Sequence, residues 1–177
     1  MQDAGIDVKP LKEPGIKVVN AENDSVKTKE FVSQKGAYKI QFPENWEMEQ
    51  GYMGLDVYGL APLQGPDDHF RENFNVIFSD LDKEISLDDY YNKNIMYLQK
   101  LLTDYKLIDQ GMVKIDGKDA KWIKYSHRMG EVSAVMLQYL FIDGKREYVI
   151  TFASSPEDFS KYEDTFKQIA SSFKFNK

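Results

Sequence analysis

The chain has 177 residues, of which 42% are hydrophobic and none is cysteine, so it is long enough for one domain with a sizeable core. This composition excludes a wholly disordered or collagen-like chain, disulfides, thiolate metal sites and a cysteine nucleophile. The net charge is −6, and residues 44–91 alone carry twelve acidic and two basic side chains, which argues against nucleic acid as a partner.

The first thirty residues have the composition of a flexible tail or tether. They contain Pro10, Pro14 and a polar stretch from Asn20 to Glu30, with a short apolar patch around Val18. We expect partial disorder there, or one short strand that docks late. A single folded domain is predicted over residues 31–177.

Three short strands are predicted in the next part of the chain. Apolar and polar residues alternate over Tyr38–Phe42, and Pro43 ends this run. A second run surrounds Val57, and a third covers Phe74–Phe78. This alternation is typical of half-buried strands.

The hydrophobic period changes to that of a helix after Ser86. Ser86 and Asp89 form a variant of the capping box, with Asp in place of the usual Glu or Gln. An amphipathic helix of about five turns is predicted from apolar residues at helical spacing. These residues are Leu87, Tyr91, Ile95, Leu98, Leu102 and Tyr105.

Four further strands are predicted, joined in pairs by tight turns. Asp116-Gly117 joins strand 107–115 to strand 119–128, and Asp143-Gly144 joins strand 131–142 to strand 146–153. Asp-Gly between two apolar runs is a strong hairpin signal, so the pairing is antiparallel.

A second helix closes the chain, with Ser155 as its cap and Pro156 at its first position. Its apolar stripe is Phe159, Tyr162, Phe166, Ile169 and Phe173. The order βββ–α–ββββ–α with antiparallel hairpins predicts an α+β fold, in which two helices shield one antiparallel sheet.

The loop before the third strand holds the densest group of titratable side chains. Asp67, Asp68, His69 and Glu72 are candidate ligands for a divalent cation, which accepts such oxygen and nitrogen donors. Their spacing matches no closed metal motif, and a polar surface turn is the simpler interpretation. No other cofactor is expected.

Aromatic residues are frequent in the same acidic stretch. Trp46, Tyr58 and Arg71 are the candidate surface for a small ligand or a partner protein, with Tyr52 among the neighbouring aromatic residues. Ordinary core packing is the alternative for the aromatic side chains. The chain contains no serine-hydrolase elbow, phosphate loop or dinucleotide fingerprint, so no catalytic residue is assigned.

From Gly36 onward the sequence resembles the PsbP-like group. The matching motifs are Tyr38-x-Ile40-x-Phe42-Pro43-x-x-Trp46, Asn73-x-Asn75-Val76, Ser86-Leu87-x-x-Tyr90, Gly117-x-x-Ala120-x-Trp122-x-x-Tyr125 and Tyr148-x-Ile150-Thr151-Phe152. The resemblance rests on their order and spacing over residues 36–175. This group includes the PsbP extrinsic protein of photosystem II, the DcrB-type bacterial lipoproteins and the Mog-type Ran-binding import factors.

The resemblance implies an α/β/α sandwich with a central antiparallel sheet, and it implies no catalytic site. The nearest type is the bacterial lipoprotein, which is exported behind a leader that ends in a lipidated cysteine. Membrane contact would then come only through an anchor that precedes Met1. We expect a non-enzymatic binding or accessory domain in the cell envelope, outside the cytoplasm.

Two alternatives to this expectation stay open. A carboxylate-based hydrolase or a divalent-cation-binding protein would use the acidic residues of 44–91. A cytoplasmic interaction protein would instead dock a basic partner on this acidic face, and its binding would weaken with salt.

Overall fold

The computed structural model describes residues 26–176, which form ten strands and two α-helices. The strands are β1 (Thr28–Ser33), β2 (Tyr38–Pro43), β3 (Glu47–Gln50), β4 (Val57–Leu60), β5 (Asn73–Asp80), β6 (Thr103–Ile115), β7 (Lys118–Met129), β8 (Val132–Asp143), β9 (Arg146–Ser154) and β10 (Lys174–Phe175). The helices are α1 (Leu87–Leu101) and α2 (Phe159–Ser171). Neither of these two helices has the length and apolar character needed to cross a bilayer.

Seven strands form a central antiparallel sheet in the order β3-β4-β5-β9-β8-β7-β6. Both Asp-Gly hairpins lie where the sequence predicts them. Asp116 and Gly117 have φ values of 46° and 80°, the left-handed pair that a tight hairpin turn requires. The remaining strands form a small antiparallel sheet in the order β1-β2-β10.

One face of the central sheet, here called the α2 face, is covered by α2 and the small sheet. Large aromatic side chains fill this layer, and many of them are fully buried: Tyr38, Phe42, Phe74, Phe141, Phe152, Phe166 and Phe173. Phe152 stacks on Phe166 of α2 with 4.9 Å between ring centroids, and Tyr38 stacks on Phe173 at 4.7 Å. The α2 face therefore holds the main core.

The opposite face, here called the α1 face, is covered by α1 over a smaller area. Its buried cluster contains Tyr91 of α1 and the sheet residues Ile123, Tyr125, Leu140 and Val149. Helices on both faces of an antiparallel sheet confirm the predicted α+β sandwich.

Several predicted boundaries differ from the structure. Helix α1 ends at Leu101, one turn early, because Leu102 turns to extended backbone and Tyr105 belongs to β6. The Ser86–Asp89 cap is confirmed, since the Asp89 N–H donates to Ser86 Oγ at 3.0 Å. Helix α2 begins only at Phe159, because residues 156–158 form a separate turn after Ser155.

The short strands β1, β3 and β10 are not predicted from the sequence. Strand β1 begins at Thr28, so the predicted tail boundary at residue 30 falls inside a strand that pairs with β2. The predictions for residues 1–25 lie outside the described residues.

Candidate functional site

Two stacked tyrosines mark one edge of the central sheet. Tyr58 lies on β4, and Tyr52 belongs to a short 3₁₀ turn that joins β3 to β4. Their ring centroids are 5.6 Å apart and the rings are inclined by only 14°. Gly51 and Gly54 have φ values of 71° and 85°, and this left-handed backbone folds the turn back so that Tyr52 lies on Tyr58. Tyr52 nevertheless stays 47% exposed.

An ion pair lies beside the tyrosines. The Arg71 guanidinium donates to both carboxylate oxygens of Glu47, at 3.1 Å and 2.8 Å. The Arg71 Nε also donates to the Ala61 carbonyl, and this hydrogen bond fixes the orientation of the guanidinium group. The hydrogen bonds from Arg71 hold the pKa of Glu47 below its usual value.

The side chains around Tyr58 also affect the pKa of its hydroxyl. The pKa of the Tyr58 hydroxyl is raised, first by burial and then by Tyr52 and Glu49, whereas Arg71 opposes the rise. We call the group of Tyr52, Tyr58, Glu47 and Arg71, with the adjacent Met53, the tyrosine platform. Met53 is 84% exposed, so the platform presents a large apolar contact area beside a fixed pair of charges.

The structure brings together two of the three residues predicted for a contact surface. Tyr58 and Arg71 both belong to the platform, but Trp46 does not. Trp46 is only 3% exposed and packs in the core against Phe74 and Phe166. The predicted surface position of Trp46 is therefore wrong. The turn from Pro43 to Trp46 directs the indole into the core.

The four candidate cation ligands do not meet at one point. Asp67, Asp68 and His69 line a groove of about 540 Å³ next to the turn before α2. Asp68 mainly organises its own loop, since it accepts hydrogen bonds from the Gln64 and Phe70 N–H groups at 2.8 Å and 3.1 Å. Among residues 26–176, no group of three or more His, Asp or Glu side chains is placed to hold a metal ion. Cation binding by this loop stays a prediction.

Glu72 points away from that loop and is fully buried. Its Oε1 accepts hydrogen bonds from Ser154 Oγ at 3.2 Å and from the Ser155 N–H at 3.4 Å. Its Oε2 has no hydrogen-bond partner in the described part of the chain. Burial raises the pKa of this carboxyl, with a smaller contribution from Asp158. Glu72 is thus a structural side chain beneath α2.

Sequence reasoning named Tyr52 only as one of several aromatic residues and missed Glu47. The available signal was Gly51-Tyr52-Met53-Gly54, in which two glycines bracket a turn that exposes the residues between them.

Solved structures with the same fold share little sequence with this chain. The cyanobacterial PsbP from Synechocystis sp. PCC 6803 is 18% identical, with 94% of this chain and 99% of that chain covered and a TM-score of 0.63. LpqN of Mycobacterium tuberculosis, involved in cell envelope biogenesis, is 14% identical, with coverage of 82% and 90% and a TM-score of 0.62. The Ran-binding protein Mog1p of Saccharomyces cerevisiae is 11% identical, with coverage of 86% and 97% and a TM-score of 0.58.

No curated protein sequence matches the chain. A family model for PsbP-like proteins matches residues 8–175, nearly the whole length, and it agrees with the motif order and with the fold. The chain belongs to the PsbP-like protein family.

Proposed function

We propose that this chain is a non-enzymatic accessory domain that binds a partner protein through the tyrosine platform. The observation that carries this proposal is the stack of exposed Tyr52 on half-buried Tyr58 beside the Arg71–Glu47 ion pair. Tyrosine, methionine and arginine are the residue types enriched at the centres of protein interfaces. The likeness to Mog1p, described as Ran-binding, supports a fold that is suited to protein contacts.

The charges around the platform favour a basic partner. Glu47 is 70% exposed, and Glu49 lies directly opposite Tyr58 on β3. Both belong to the acidic stretch of residues 44–91. A partner with a basic rim would be steered towards this edge, so its association rate should fall as salt is added.

The proposed location is the cell envelope, with a lipid anchor ahead of Met1. Membership of the PsbP-like family and the likeness to LpqN support an envelope protein. Fractionation of the native cells, with antibody detection of this chain, tests the location. Recovery in the cytosolic fraction would overturn it.

The binding proposal can be tested by placing a photo-crosslinking amino acid at Tyr52 in the native cells and identifying the protein captured there. The purified partner is then titrated against the Y52A/M53A variant. We expect a loss of about 2 kcal/mol, or roughly 30-fold in Kd, as for residues at the centre of an interface.

The chain offers a matched control for this experiment. Met96 and Tyr97 are adjacent on α1 and are 68% and 64% exposed, so M96A/Y97A removes the same two side-chain types elsewhere. The control should bind like the unmodified chain. Equal affinity of both variants for the partner would refute the platform as the binding surface.

A further inference from the structure

The opposite edge of the central sheet is formed by β6, and no strand of the described residues pairs with its outer side. Within residues 26–176, β6 pairs with β7 alone. The register with β7 is interrupted twice before Asp109, and it is continuous from Asp109 to Ile115. This regular segment, here called the open edge (residues 109–115), presents a row of outward N–H and C=O groups on which another strand can form.

An apolar groove runs beside the open edge, between β6 and α2. Its volume is about 580 Å³, and Trp122, Leu137 and Tyr139 lie along it. Met112 and Val113 of the open edge also line the groove and are 61% and 40% exposed. An extended peptide gains affinity from main-chain hydrogen bonds and specificity from pockets for alternate side chains. The open edge and the groove supply both.

Gly111 makes the groove possible at the middle of the open edge. The Trp122 ring lies so close that a Cβ atom at residue 111 would be 2.8 Å from the indole Nε1. Glycine therefore lets the ring close against the backbone of the edge strand. The ring then borders the space that the side chains of an added strand would enter.

The two ends of the open edge carry opposite charges. Asp109 makes no ion pair within the described part of the chain. Lys114 pairs with Asp119 at 2.7 Å, but its side chain is 68% exposed and can reach a second carboxylate. Opposite charges that face each other across two strands are favourable, so this arrangement fixes the direction of an incoming strand.

We propose that the open edge binds an extended segment of a partner protein as an additional antiparallel strand. The segment carries apolar side chains at alternate positions. An acidic residue near its N-terminal end meets Lys114, and a basic residue near its C-terminal end meets Asp109. This surface is separate from the tyrosine platform, because the two lie at opposite edges of the seven-stranded sheet.

The probe is the synthetic peptide acetyl-TEVTVTK-amide, titrated into the full-length chain labelled with ¹⁵N. With the C-terminal lysine of the peptide opposite Asp109, its glutamate lies opposite Lys114 and its two valines lie opposite Val113 and Gly111. We expect saturable NMR shifts of the amides of residues 109–115 and of the Trp122 indole N–H. A peptide with N-methyl groups on the amides that would face β6 should bind at least tenfold more weakly. The reversed-charge peptide acetyl-TKVTVTE-amide should bind about three- to fivefold more weakly, and high salt should remove that difference.

Variants of the chain test the same site. M112E places a charge at the open edge and should weaken binding of the first peptide about tenfold. M129E is the control, because Met129 is similarly exposed, at 46%, but lies at the far end of β7. Equal binding of the N-methylated peptide, or shifts that spread over the whole chain, would refute strand addition.

Two other occupants of the open edge would also overturn the proposal. If the amides of residues 109–115 broaden as the protein concentration rises without peptide, a second copy of the chain fills the edge. If the outward-facing amides of residues 109–115, which β7 does not pair, resist hydrogen exchange in the dilute, peptide-free chain, a segment of the chain itself covers them.

Discussion

The two faces of the central sheet differ in the side chains that pack on them. On the α2 face, aromatic rings contact one another from the small sheet across to α2, as in the Phe152–Phe166 stack. On the α1 face, the apolar cluster is small, and it is accompanied by buried polar atoms that have no hydrogen-bond partner among residues 26–176. These atoms are Asn94 Oδ1, Tyr105 Oη, His127 Nδ1 and Gln138 Oε1.

This difference indicates where stability resides. A tightly packed layer resists rearrangement, whereas a layer with unpaired polar groups gives up part of the free energy gained by burial. The α2 face should therefore dominate the free energy of unfolding. The α1 face is less constrained, and it carries the polar row that connects Tyr58 through Asn75 and Thr151 to Gln138.

The largest expected effect comes from equal truncations on the two faces. Ile150 lies on the α2 face and Leu140 on the α1 face; both are 0% exposed and both have four side-chain carbons. We expect I150A to lose about 4 kcal/mol of unfolding free energy and L140A about 2 kcal/mol, because α1 can settle into the space that is left. Urea denaturation measures both values. Equal losses would contradict the proposed difference between the faces.

A smaller effect is expected in the polar row of the α1 face. Gln138 Nε2 donates to Thr151 Oγ1 at 3.1 Å, while Gln138 Oε1 has no hydrogen-bond partner in the part of the chain that the structure describes. T151V should lose about 1 kcal/mol, because it removes the acceptor and leaves the amide group with no partner. The double variant T151V/Q138L removes both polar groups and should regain that loss. A double variant less stable than T151V would show that the row contributes more than this single hydrogen bond.

The smallest effect concerns Glu72, a buried polar exception on the α2 face. Its pKa is raised by burial, so the folded chain binds this proton more tightly than the unfolded chain does. The resulting stabilisation is complete below the unfolded pKa, about 4.3, and is lost as the pH rises through the folded pKa. E72Q should therefore be more stable than the unmodified chain at neutral pH and lose this advantage in acid. Denaturation curves at several pH values check this, and a gain that does not depend on pH would contradict it.

Local signals in the sequence explain most of the fold that could be predicted. Ser86 with Asp89, and the two Asp-Gly turns, act within a few residues, so they fix α1 and both hairpins without knowledge of the rest of the chain. Strand β10 pairs with β2 from more than 130 residues away and has only two residues, so no local pattern indicates it.

The candidate site was predicted only in part, for the same reason. Tyr58 and Arg71 were both identified as contact residues, but their proximity depends on the pairing of β4 with β5. The sequence also predicts a surface position for Trp46, because buried and exposed aromatic residues in an acidic stretch have the same local pattern. Only the tertiary packing against Phe74 and Phe166 distinguishes it.

The pairing of β6 with β7 is irregular at two places, between Thr103 and Lys106 and between Leu107 and Asp109. These irregularities affect how readily the protein aggregates in concentrated solution. Bulges bend and twist a strand. The first half of β6 is therefore a poor template for the repeated addition of strands from other chains that leads to fibrils. At the other end of the sheet, β3 has only four residues and carries Glu47 and Glu49, which discourage the same process. The chain can thus keep a short stretch of backbone uncovered and still resist aggregation.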